Sequence, residues 1–409
     1  YEMTIRGSMM THEGNYAFTG SSYRDNVSYS ILTKIDTDGE IIWRNSWQDR
    51  YGYKEVVATP DSGIAICGYR DSEISINKYD LAGEQLYSWQ FEFEHNPVVT
   101  GLLNDRDGGY IVSGFTWNGV NNRNDFFLMN VTSEGEKNWE RVFRDRPFDQ
   151  ECYAITAVPN GGYLLVGETL IDGPGYEVLV IRTDDEGDEI WQEHYGTEMI
   201  DIPANDRGYA ITPSDDGGFV IAGETVTNIG GVNYSVLVLK IDIEGDLIWM
   251  EVLDWDIHQR GRSISNTIDG GFILSGLTSE EGDGVGNPFM LKTDDCGSMV
   301  WFYVQDGVRT SSNNHTYYNV LAHQDRTFSM ICGSLEQAGD TPGFLQKFGR
   351  DPHGVSDGKN IFLPSWTGLV GAYPNPFNSI TTFVFTVGSP ADVEIDIFNG
   401  LGRRQAELV

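Results

Sequence analysis

The stretch Asp107-Gly108-Gly109-Tyr110-Ile111-Val112-Ser113-Gly114 contains the pattern that decides the fold: an Asp-Gly-Gly turn, an aromatic residue, three further residues and a glycine. Three other stretches repeat this pattern closely, and three keep a degenerate form of it. The seven copies begin at Glu13, Asp61, Asp107, Asn160, Asp216, Asp269 and Asp325. Successive copies are 48, 46, 53, 56, 53 and 56 residues apart. A period near 50 residues is typical of a repeat architecture in which each copy forms one structural unit.

A second pattern follows each of the first six copies. It consists of an apolar run, a turn with glycine, and an aromatic residue four positions after that glycine. The pairs are Gly39 and Trp43, Gly83 and Tyr87, Gly135 and Trp139, Gly187 and Trp191, Gly245 and Trp249, and Gly297 and Trp301. The seventh copy keeps Lys347 but has no tryptophan at the expected distance. Alternation in runs such as 153–158, and the tight Gly-containing turns, predict four short strands per copy, which we name a, b, c and d in chain order.

A single four-stranded sheet cannot bury both of its faces, so the copies must stack against one another. Seven copies of four strands predict an all-β fold, a seven-bladed β-propeller of four-stranded blades over residues 1–355, closed so that no sheet edge is exposed. The segment Glu2–Thr11 is expected to form strand a of the first blade. Two candidates for strand d of the seventh blade stay open: Lys359–Leu363 and the first residues of the chain.

Composition narrows the range of partners. The chain has 61 Asp and Glu against 27 Lys and Arg, a formal net charge of −34, which repels the phosphate backbone of nucleic acids. No apolar run reaches the roughly 20 residues that a membrane helix needs, so we expect neither nucleic acid binding nor membrane insertion. The four cysteines, Cys67, Cys152, Cys296 and Cys332, lack the spacing of metal ligands. We interpret Cys67 and Cys332 as small buried residues, and we expect no metal and no cofactor.

Beyond residue 355 the repeat stops, and we expect a linker over 356–371 and a partial β segment over 372–409. The segment begins with Ala372-Tyr373-Pro374-Asn375-Pro376-Phe377-Asn378, continues with alternating strands at Thr382–Val387 and Val393–Phe398, and reaches Gly400-Leu401-Gly402-Arg403. It resembles the C-terminal sorting domain of proteins exported by the bacterial type IX secretion system, and related immunoglobulin-like tails. The resemblance implies an incomplete immunoglobulin-like β segment. The repeats are similar to tandem-repeat propellers of secreted bacterial proteins, so together the resemblances imply a secreted or cell-surface bacterial protein.

The two rims of the predicted propeller differ. Because successive strands are antiparallel, the tight a–b and c–d turns share one rim, and the longer b–c and d–a loops share the other, which we name the long-loop rim. Loops on a rigid scaffold often carry binding groups, and these loops are rich in arginine, histidine and aromatic residues. The predicted ligand-binding residues are Arg50, Tyr51, Trp117, Arg144, Arg146, His194, Trp255, His258, Arg260, Arg262, Arg309 and His315. Other arginines of these loops are Arg24, Arg70, Arg123 and Arg207.

Arginine binds carboxylates and sulfates through two parallel hydrogen bonds, and aromatic rings stack on sugar or peptide planes. These properties predict a non-enzymatic recognition or scaffold module, extracellular or on the cell surface, whose partner is a polysaccharide or a protein. Two alternatives stay open: a secreted carbohydrate-active enzyme, hydrolase or lyase, with its site at the axial mouth, or a structural component of a surface layer or filament. No catalytic motif is present, so no catalytic residue is assigned.

Several residues also allow simpler interpretations. The loop arginines could merely offset neighbouring carboxylates such as Asp49, Asp145 and Asp254. A histidine metal site made of His194, His258 and His315 would need ligands from separate blades. Turn chemistry accounts for the Asp-rich turns that otherwise look like calcium loops. The repeated strand-c lysines are expected to pair with turn carboxylates; they are Lys34, Lys78, Lys240, Lys292 and Lys347.

Overall fold

The computed structural model describes the strands and most of the short turns. The described residues are 3–24, 27–48, 51–117, 123–144, 148–171, 175–197, 205–226, 234–254, 258–279, 285–305, 310–311, 317–324, 327–333, 344–348, 368–373, 382–386, 395–398 and 404–408. Their regular structure is entirely β, which confirms the predicted fold class. Within these ranges there is no helix with the length and apolar character needed to cross a bilayer.

Six sheets contain four antiparallel strands each, arranged in chain order. Blade 1 consists of β1 (Met3–Met10), β2 (Tyr16–Arg24), β3 (Val27–Ile35) and β4 (Ile41–Trp47). Blade 2 consists of β5 (Gly52–Ala58), β6 (Ile64–Arg70), β7 (Glu73–Tyr79) and β8 (Gln85–Glu92). Blade 3 consists of β9 (Pro97–Asn104), β10 (Tyr110–Trp117), β11 (Asn124–Val131) and β12 (Lys137–Phe143).

The second half of the array continues in the same order. Blade 4 consists of β13 (Gln150–Ala157), β14 (Tyr163–Leu170), β15 (Tyr176–Thr183) and β16 (Glu189–Tyr195). Blade 5 consists of β17 (Arg207–Pro213), β18 (Phe219–Val226), β19 (Tyr234–Ile241) and β20 (Leu247–Leu253). Blade 6 consists of β21 (His258–Asn266), β22 (Phe272–Ser279), β23 (Val285–Thr293) and β24 (Met299–Val304), and β25 (Thr310–Ser311) pairs with β23. A three-stranded sheet follows, made of β26 (Tyr317–Ala322), β27 (Phe328–Gly333) and β28 (Phe344–Phe348).

The prediction of seven four-stranded blades is wrong: the structure has six, and the seventh repeat forms only the three-stranded sheet in the described residues. The sequence explains the difference, since the seventh copy lacks the glycine turn and the tryptophan that begin strand d elsewhere. The candidate Lys359–Leu363 lies outside the described residues. The first strand, β1, pairs with β2 as strand a of blade 1, which confirms that part of the prediction.

The sheets form a closed ring. The first strands of consecutive sheets pack side by side, and β26 packs against both β21 and β1. At the closing position the Asn319 side chain accepts a hydrogen bond from Ser263 Oγ (2.8 Å) and donates one to Ser8 Oγ (3.0 Å). The Tyr16 hydroxyl bonds Ser329 Oγ at 2.8 Å in the buried interface between the first and last sheets. Strands a therefore surround a central axis, and strands d lie outside.

The chain divides into two units, Tyr1–Lys359 and Asn360–Val409. In the second unit β29 (Gly368–Tyr373) pairs with β30 (Thr382–Thr386), and β31 (Ile395–Phe398) pairs with β32 (Arg404–Leu408). The described residues of this unit thus form two separate antiparallel pairs. Most of the predicted immunoglobulin-like arrangement over 372–409 falls on residues outside the described ranges.

The tight turns have one length throughout. Every a–b and c–d connection of the six blades spans five residues. In five of the six c–d turns an aspartate carboxylate accepts the backbone N–H groups two and four residues later, as Asp80 does from Ala82 and Glu84, both at 2.9 Å. Thr132 occupies this position in blade 3, where its hydroxyl accepts the Glu136 N–H. These carboxylates therefore serve turn geometry, as expected for Asx turns. Connections on the other rim vary from two residues after β2 to eleven between β16 and β17, and the b–c loops of blades 1 and 2 are shorter than predicted.

A tryptophan on strand d of each of the first five blades packs onto the turn glycine of the following blade. For example, Trp139 lies against Gly187, and a Cβ atom added to Gly187 would collide with the Trp139 ring. The pairs are Trp43 with Gly83, Trp89 with Gly135, Trp139 with Gly187, Trp191 with Gly245 and Trp249 with Gly297. In blade 2 the contact comes from Trp89 rather than from Tyr87 of the motif. Each of these glycines has a positive φ, between 78° and 94°, so both the turn and the contact favour glycine.

Two smaller predictions are also confirmed. Strand-c lysines pair with carboxylates of the a–b turn, as in Lys34 with Glu13 (2.6 Å) and Lys240 with Asp216 (2.6 Å). Arg182 replaces lysine in blade 4 and donates to backbone carbonyls instead. Cys67 and Cys332 are buried, as expected for small packing residues.

Strand a of every blade contains a β-bulge, and the last glycine of the repeated motif faces it. In blade 4, for example, the pairing shifts between Cys152 and Ala154, opposite Gly167, so that Tyr153 is the extra residue. A Cβ atom on Gly167 would overlap the Glu151 carbonyl oxygen. The bulged residues of blades 1 to 6 are Arg6, Lys54, Thr100, Tyr153, Tyr209 and Arg262. Bulges redirect side chains, and the side chains of these six residues line the axis.

Candidate functional site

The bulges create two layers of side chains around the axis. The lower layer consists of the six bulged residues, Arg6, Lys54, Thr100, Tyr153, Tyr209 and Arg262. The upper layer lies two residues earlier on strand a, nearer the long-loop rim, and in blades 2 to 6 it consists of Gly52, Val98, Glu151, Arg207 and Arg260. Blades 4 to 6 contribute the charged and aromatic members that contact one another. They form the axial cluster, which consists of Glu151, Tyr153, Glu168, Tyr176, Arg207, Tyr209, Glu224, Tyr234, Arg260 and Arg262.

Glu224 is the centre of the axial cluster. It lies near the end of β18, is 1 % exposed, and receives contacts from three arginines. Arg207 Nη1 lies 3.1 Å from Oε1, whereas Arg260 Nε and Arg262 Nη2 lie 3.6 and 3.5 Å from Oε2. The Tyr209 hydroxyl also donates to Oε1, at 3.0 Å. Burial alone would raise the pKa of Glu224, but the three guanidinium groups hold it below its usual value, so this carboxylate stays ionised.

Each arginine of the cluster also lies against a tyrosine ring. The guanidinium carbon of Arg262 is 3.7 Å from the centre of the Tyr209 ring, and that of Arg260 is 3.8 Å from the centre of the Tyr234 ring. Arg207 lies 5.0 Å from the Tyr176 ring. Contacts of this kind stabilise a cation by about 0.5–2 kcal/mol. They also hold each planar guanidinium in one orientation.

Glu168 is the second buried carboxylate of the cluster. It follows Gly167 on β14 and forms an ion pair with Arg207 Nε, so Arg207 connects Glu168 to Glu224. Burial raises the pKa of Glu168 to about 7, although the attraction of Arg207 opposes this shift. Two carboxyl groups bound to one arginine therefore differ in protonation near neutral pH. Such a difference is common where a protein transfers protons.

The side of the cluster in blade 4 carries a third carboxylate. Glu151 accepts hydrogen bonds from the Tyr153 hydroxyl (2.8 Å) and from Asn124 Nδ2 (2.9 Å). The Tyr153 ring lies 4.9 Å from the Tyr209 ring, centre to centre, so the lower layer is continuous from blade 4 to Arg262 in blade 6. Burial raises the pKa of Tyr153 and of Tyr209, and both remain protonated donors.

Three of the predicted binding residues belong to this region. Arg260 and Arg262 are members of the axial cluster, and His258 lies beside it, where its Nδ1 accepts the Tyr234 backbone N–H at 3.3 Å. Arg260 and Arg262 form ion pairs, which agrees with the simpler interpretation that neighbouring carboxylates offset the loop arginines. However, Arg260 and Arg262 both pair with the strand-b glutamate Glu224 rather than with the loop aspartates that the sequence pointed to.

The structure places the other described candidates elsewhere. Tyr51 donates to Glu73 in blade 2, at 2.8 Å. Arg144 pairs with Glu94 at 3.2 Å, and His194 pairs with Glu177 of the same blade. Trp117 is 43 % exposed at the end of β10. The remaining predictions lie outside the described residues, and they are Arg50, Arg146, Trp255, Arg309 and His315. The described histidines His194 and His258 have separate partners, so the structure does not bring these two together as metal ligands.

Most residues of the axial cluster were not predicted, because they lie on strands and the predicted binding residues were chosen from loops. Glu168 and Glu224 directly follow the last glycine of the motif, a position that holds Ser21, Tyr69, Phe115 and Leu277 in the other blades. Tyr153 and Tyr209 occupy the bulge position, which also varies. Aligning the seven repeats and selecting the columns whose polarity changes from blade to blade would have found these residues. Arg207 was recognised as a loop arginine but was not selected.

Among the described residues, one group of potential metal ligands lies close together: Asp294, Asp295 and Cys296, at the c–d turn of blade 6. The Asp294 carboxylate accepts the backbone N–H groups of Cys296 (3.0 Å) and Ser298 (2.8 Å). The group therefore has the same turn chemistry as its counterparts in other blades.

The raised pKa of Glu168 predicts a pH dependence of stability. The ordinary pKa of glutamate in an unfolded chain is about 4.3, so between that value and about 7 the folded protein binds more protons than the unfolded chain. The free energy of unfolding should therefore fall as the pH rises from 5 to 8, by roughly 1–3 kcal/mol from this group. Glu55, whose pKa burial also raises to about 7, acts in the same direction.

Chemical denaturation at pH 5 and pH 8 measures this effect. The variant Glu168→Gln should show a smaller loss between the two pH values, because its amide cannot ionise. An equal loss in Glu168→Gln and in the unmodified protein would show that Glu168 does not hold its proton in the folded state.

No family model matches the chain, and no curated protein matches it. Solved structures match its fold. The polysaccharide lyase Uly1 is 11 % identical over 85 % of this chain and 90 % of its own, with a TM-score of 0.53. Virginiamycin B lyase from Staphylococcus aureus is 12 % identical over 82 % of this chain and 94 % of its own, with a TM-score of 0.50. Sqt1 from Chaetomium thermophilum, solved bound to the N-terminus of a ribosomal protein, is 11 % identical over 80 % of this chain and 81 % of its own, with a TM-score of 0.50. These similarities show the propeller fold, and they are compatible with either binding or catalysis.

Proposed function

We propose that the protein is an extracellular or cell-surface recognition module that binds a glycan at the axial mouth of its long-loop rim. The observation that carries the proposal is the convergence of three arginines and three glutamates, held against tyrosine rings, in blades 4 to 6. The other three blades lack this set at the equivalent positions. A polar network needed only for packing would be expected in every blade of a repeat protein.

The chemistry of the cluster suits a polyhydroxylated ligand. Guanidinium and carboxylate groups present donors and acceptors in fixed planes, and tyrosine adds an apolar ring with a polar hydroxyl. Binding sites typically combine aromatic walls with a few oriented polar groups. The side chains of Arg207, Arg260 and Arg262 are 16–23 % exposed, so they reach the surface of the cluster. A sugar ring can therefore stack on a tyrosine while its hydroxyls bond the charged groups.

The location outside the cell belongs to the same proposal. It is supported by the resemblance of the segment 372–409 to a sorting domain, and a glycan ligand is consistent with it. The domain limits that we propose remain 1–355 for the propeller, 356–371 for a linker and 372–409 for the tail.

A screen of neutral and acidic polysaccharides, with binding measured by biolayer interferometry, tests the proposal. Arg260→Gln should weaken binding of any glycan that is found by at least about tenfold, which is the usual effect of losing one charge-assisted hydrogen bond. The matched control is Arg144→Gln, which removes another ion-paired arginine of the same rim, outside the axial cluster. Equal losses in both variants, or no binding to any glycan, would contradict glycan recognition at this place. Self-association without glycan binding would favour the structural alternative.

We also propose a second candidate, a carbohydrate-active enzyme, because Glu168 and Glu224 differ in protonation. A group that titrates near pH 7 suits proton transfer, and a neighbouring ionised carboxylate suits stabilisation of positive charge. Incubating any bound polysaccharide with the protein, and measuring new reducing ends or unsaturated products, distinguishes the two functions. Turnover that Glu168→Gln abolishes without weakening binding would favour the enzyme, whereas binding without turnover favours recognition.

A further inference from the structure

The lower layer contains two cations outside the axial cluster. Arg6 in blade 1 and Lys54 in blade 2 occupy the bulge position of adjacent blades, so both are directed toward the axis. The backbones of the two bulges are in contact, since a Cβ atom on Gly7 would collide with the Lys54 carbonyl oxygen. The two side chains therefore start from neighbouring points at the same level of the channel.

Neither cation has a carboxylate partner among the described residues. In the described part of the chain, Arg6 and Lys54 take part in no ion pair, although the protein has 61 acidic residues. Arg6 Nε is buried and has no hydrogen-bond partner among the described residues. Lys54 Nζ lies over the Tyr69 ring, 5.3 Å from its centre. By contrast, the third cation of this layer, Arg262, contacts Glu224.

One acidic residue, Glu55, is adjacent to Lys54 in the chain. Glu55 follows Lys54 in the chain and interacts with it electrostatically, but the two form no ion pair. At the equivalent position of blade 3, a Cβ atom on Gly101 would meet Ile155 of the next blade. The Glu55 side chain thus starts toward blade 3, away from the axis. The two neighbouring cations therefore repel each other, and the buried Arg6 Nε has no acceptor among the described residues. An external anion would offset the repulsion and supply an acceptor.

There is room above Lys54. The upper-layer residue of blade 2 is Gly52, and a Cβ atom there would meet only the Tyr69 carbonyl oxygen, at 3.9 Å. Blades 4 to 6 have Glu151, Arg207 and Arg260 at the equivalent position. The channel is therefore less filled above Lys54 than above the axial cluster, which leaves space for an anion to approach Lys54 from the long-loop rim.

We propose that Arg6 and Lys54 form an oxyanion subsite that binds a carboxylate or sulfate group. Guanidinium and ammonium groups both donate charge-assisted hydrogen bonds to such oxygens. Combined with the proposed glycan recognition in blades 4 to 6, on which this step rests, the subsite assigns the ligand to the acidic glycans, those that carry uronic acid or sulfate groups. Anion binding by the pair does not itself depend on a glycan and can be measured alone.

Isothermal titration with sodium sulfate and with sodium glucuronate, at an ionic strength held constant with sodium chloride, tests the subsite. Both anions should bind saturably to the unmodified protein. Arg6→Gln and Lys54→Gln should each weaken binding about tenfold or more, since each removes a charged donor. Lys54→Arg should retain it. The matched control Lys137→Gln removes an exposed lysine on the outer strand of blade 3 and should change nothing.

The outcomes separate this inference from the proposed function. Tighter binding of glucuronate than of sulfate would indicate that the sugar ring is recognised together with its carboxylate, and equal binding would indicate a site for a small free anion. Absence of saturable binding, or equal affinity in Lys54→Gln and Lys137→Gln, would overturn the subsite. Loss of acidic-polysaccharide binding in Arg260→Gln but not in Lys54→Gln would leave glycan recognition standing without it. Melting temperatures of the variants, followed by circular dichroism, confirm that each one folds.

Discussion

Replacing Glu224 by glutamine should lower the free energy of unfolding by about 3–5 kcal/mol, because removing one partner of a buried ion pair leaves its counter-charges uncompensated. Here the counter-charges are three arginines from two neighbouring strands a, all within 3.6 Å of the carboxylate. Denaturation by urea, followed by tryptophan fluorescence, measures the loss. A change below 1 kcal/mol would show that solvent already screens the three guanidinium groups.

Two variants make the interpretation of Glu224→Gln specific. Glu193→Gln removes an exposed carboxylate of blade 4 and should change stability by no more than about 0.5 kcal/mol. Adding Arg262→Gln to Glu224→Gln removes one of the positive charges that lost their carboxylate partner, and it should restore part of the stability. The difference between the double variant and the sum of the single variants measures the coupling between these two residues.

Replacing Gly114 by alanine should cost about 3 kcal/mol, the upper end of the usual cost of overpacking. A Cβ atom at this position would overlap the Val98 carbonyl oxygen, which the bulge at Thr100 brings against β10, and would press on the Phe127 ring. The glycine conformation itself is not unusual, so the cost comes from the close approach of the bulged strand. Thermal and chemical denaturation both measure it.

The matched control for Gly114→Ala is Gly52→Ala, also in a strand, where the added Cβ has an ordinary contact at 3.9 Å. That variant should be nearly neutral. If both variants had the same small effect, the strand opposite Gly114 would be free to move, and the bulges would not be fixed parts of the fold.

Much of the architecture could be predicted because it depends on local patterns that repeat. The tight turns require glycine and aspartate at fixed positions, and Trp139 and its equivalents need a small partner, so both leave a regular trace in the sequence. The seventh blade could not be predicted in the same way. Its first three strands keep the pattern, but strand d is specified by the turn and the tryptophan, and that copy lacks both.

The candidate site was harder to predict because it depends on contacts between repeats. Glu224 is bound by Arg207 of its own blade and by Arg260 of the next blade only in the folded protein. In the sequence Glu224 lies 17 positions after Arg207 and 36 positions before Arg260. Arg6 and Lys54 become neighbours only through two bulges that no single repeat reveals. The prediction was based on loop composition, whereas the side chains of the axial cluster come from strands a, b and c of blades 4 to 6.

The tryptophan contacts give the array a direction. Each of the five tryptophans reaches forward to the turn of the blade that is synthesised after it, so the outer edge of a blade is finished only when its successor has folded. A fragment that ends after blade 3 would expose the Trp139 ring to solvent, because Gly187 is absent. A fragment that starts at blade 4 would expose only the turn that contains Gly187. Fragments that lack the C-terminal blades should therefore aggregate more readily than fragments that lack the N-terminal blades. During synthesis from the N-terminus, only the tryptophan of the most recently completed blade has its ring exposed.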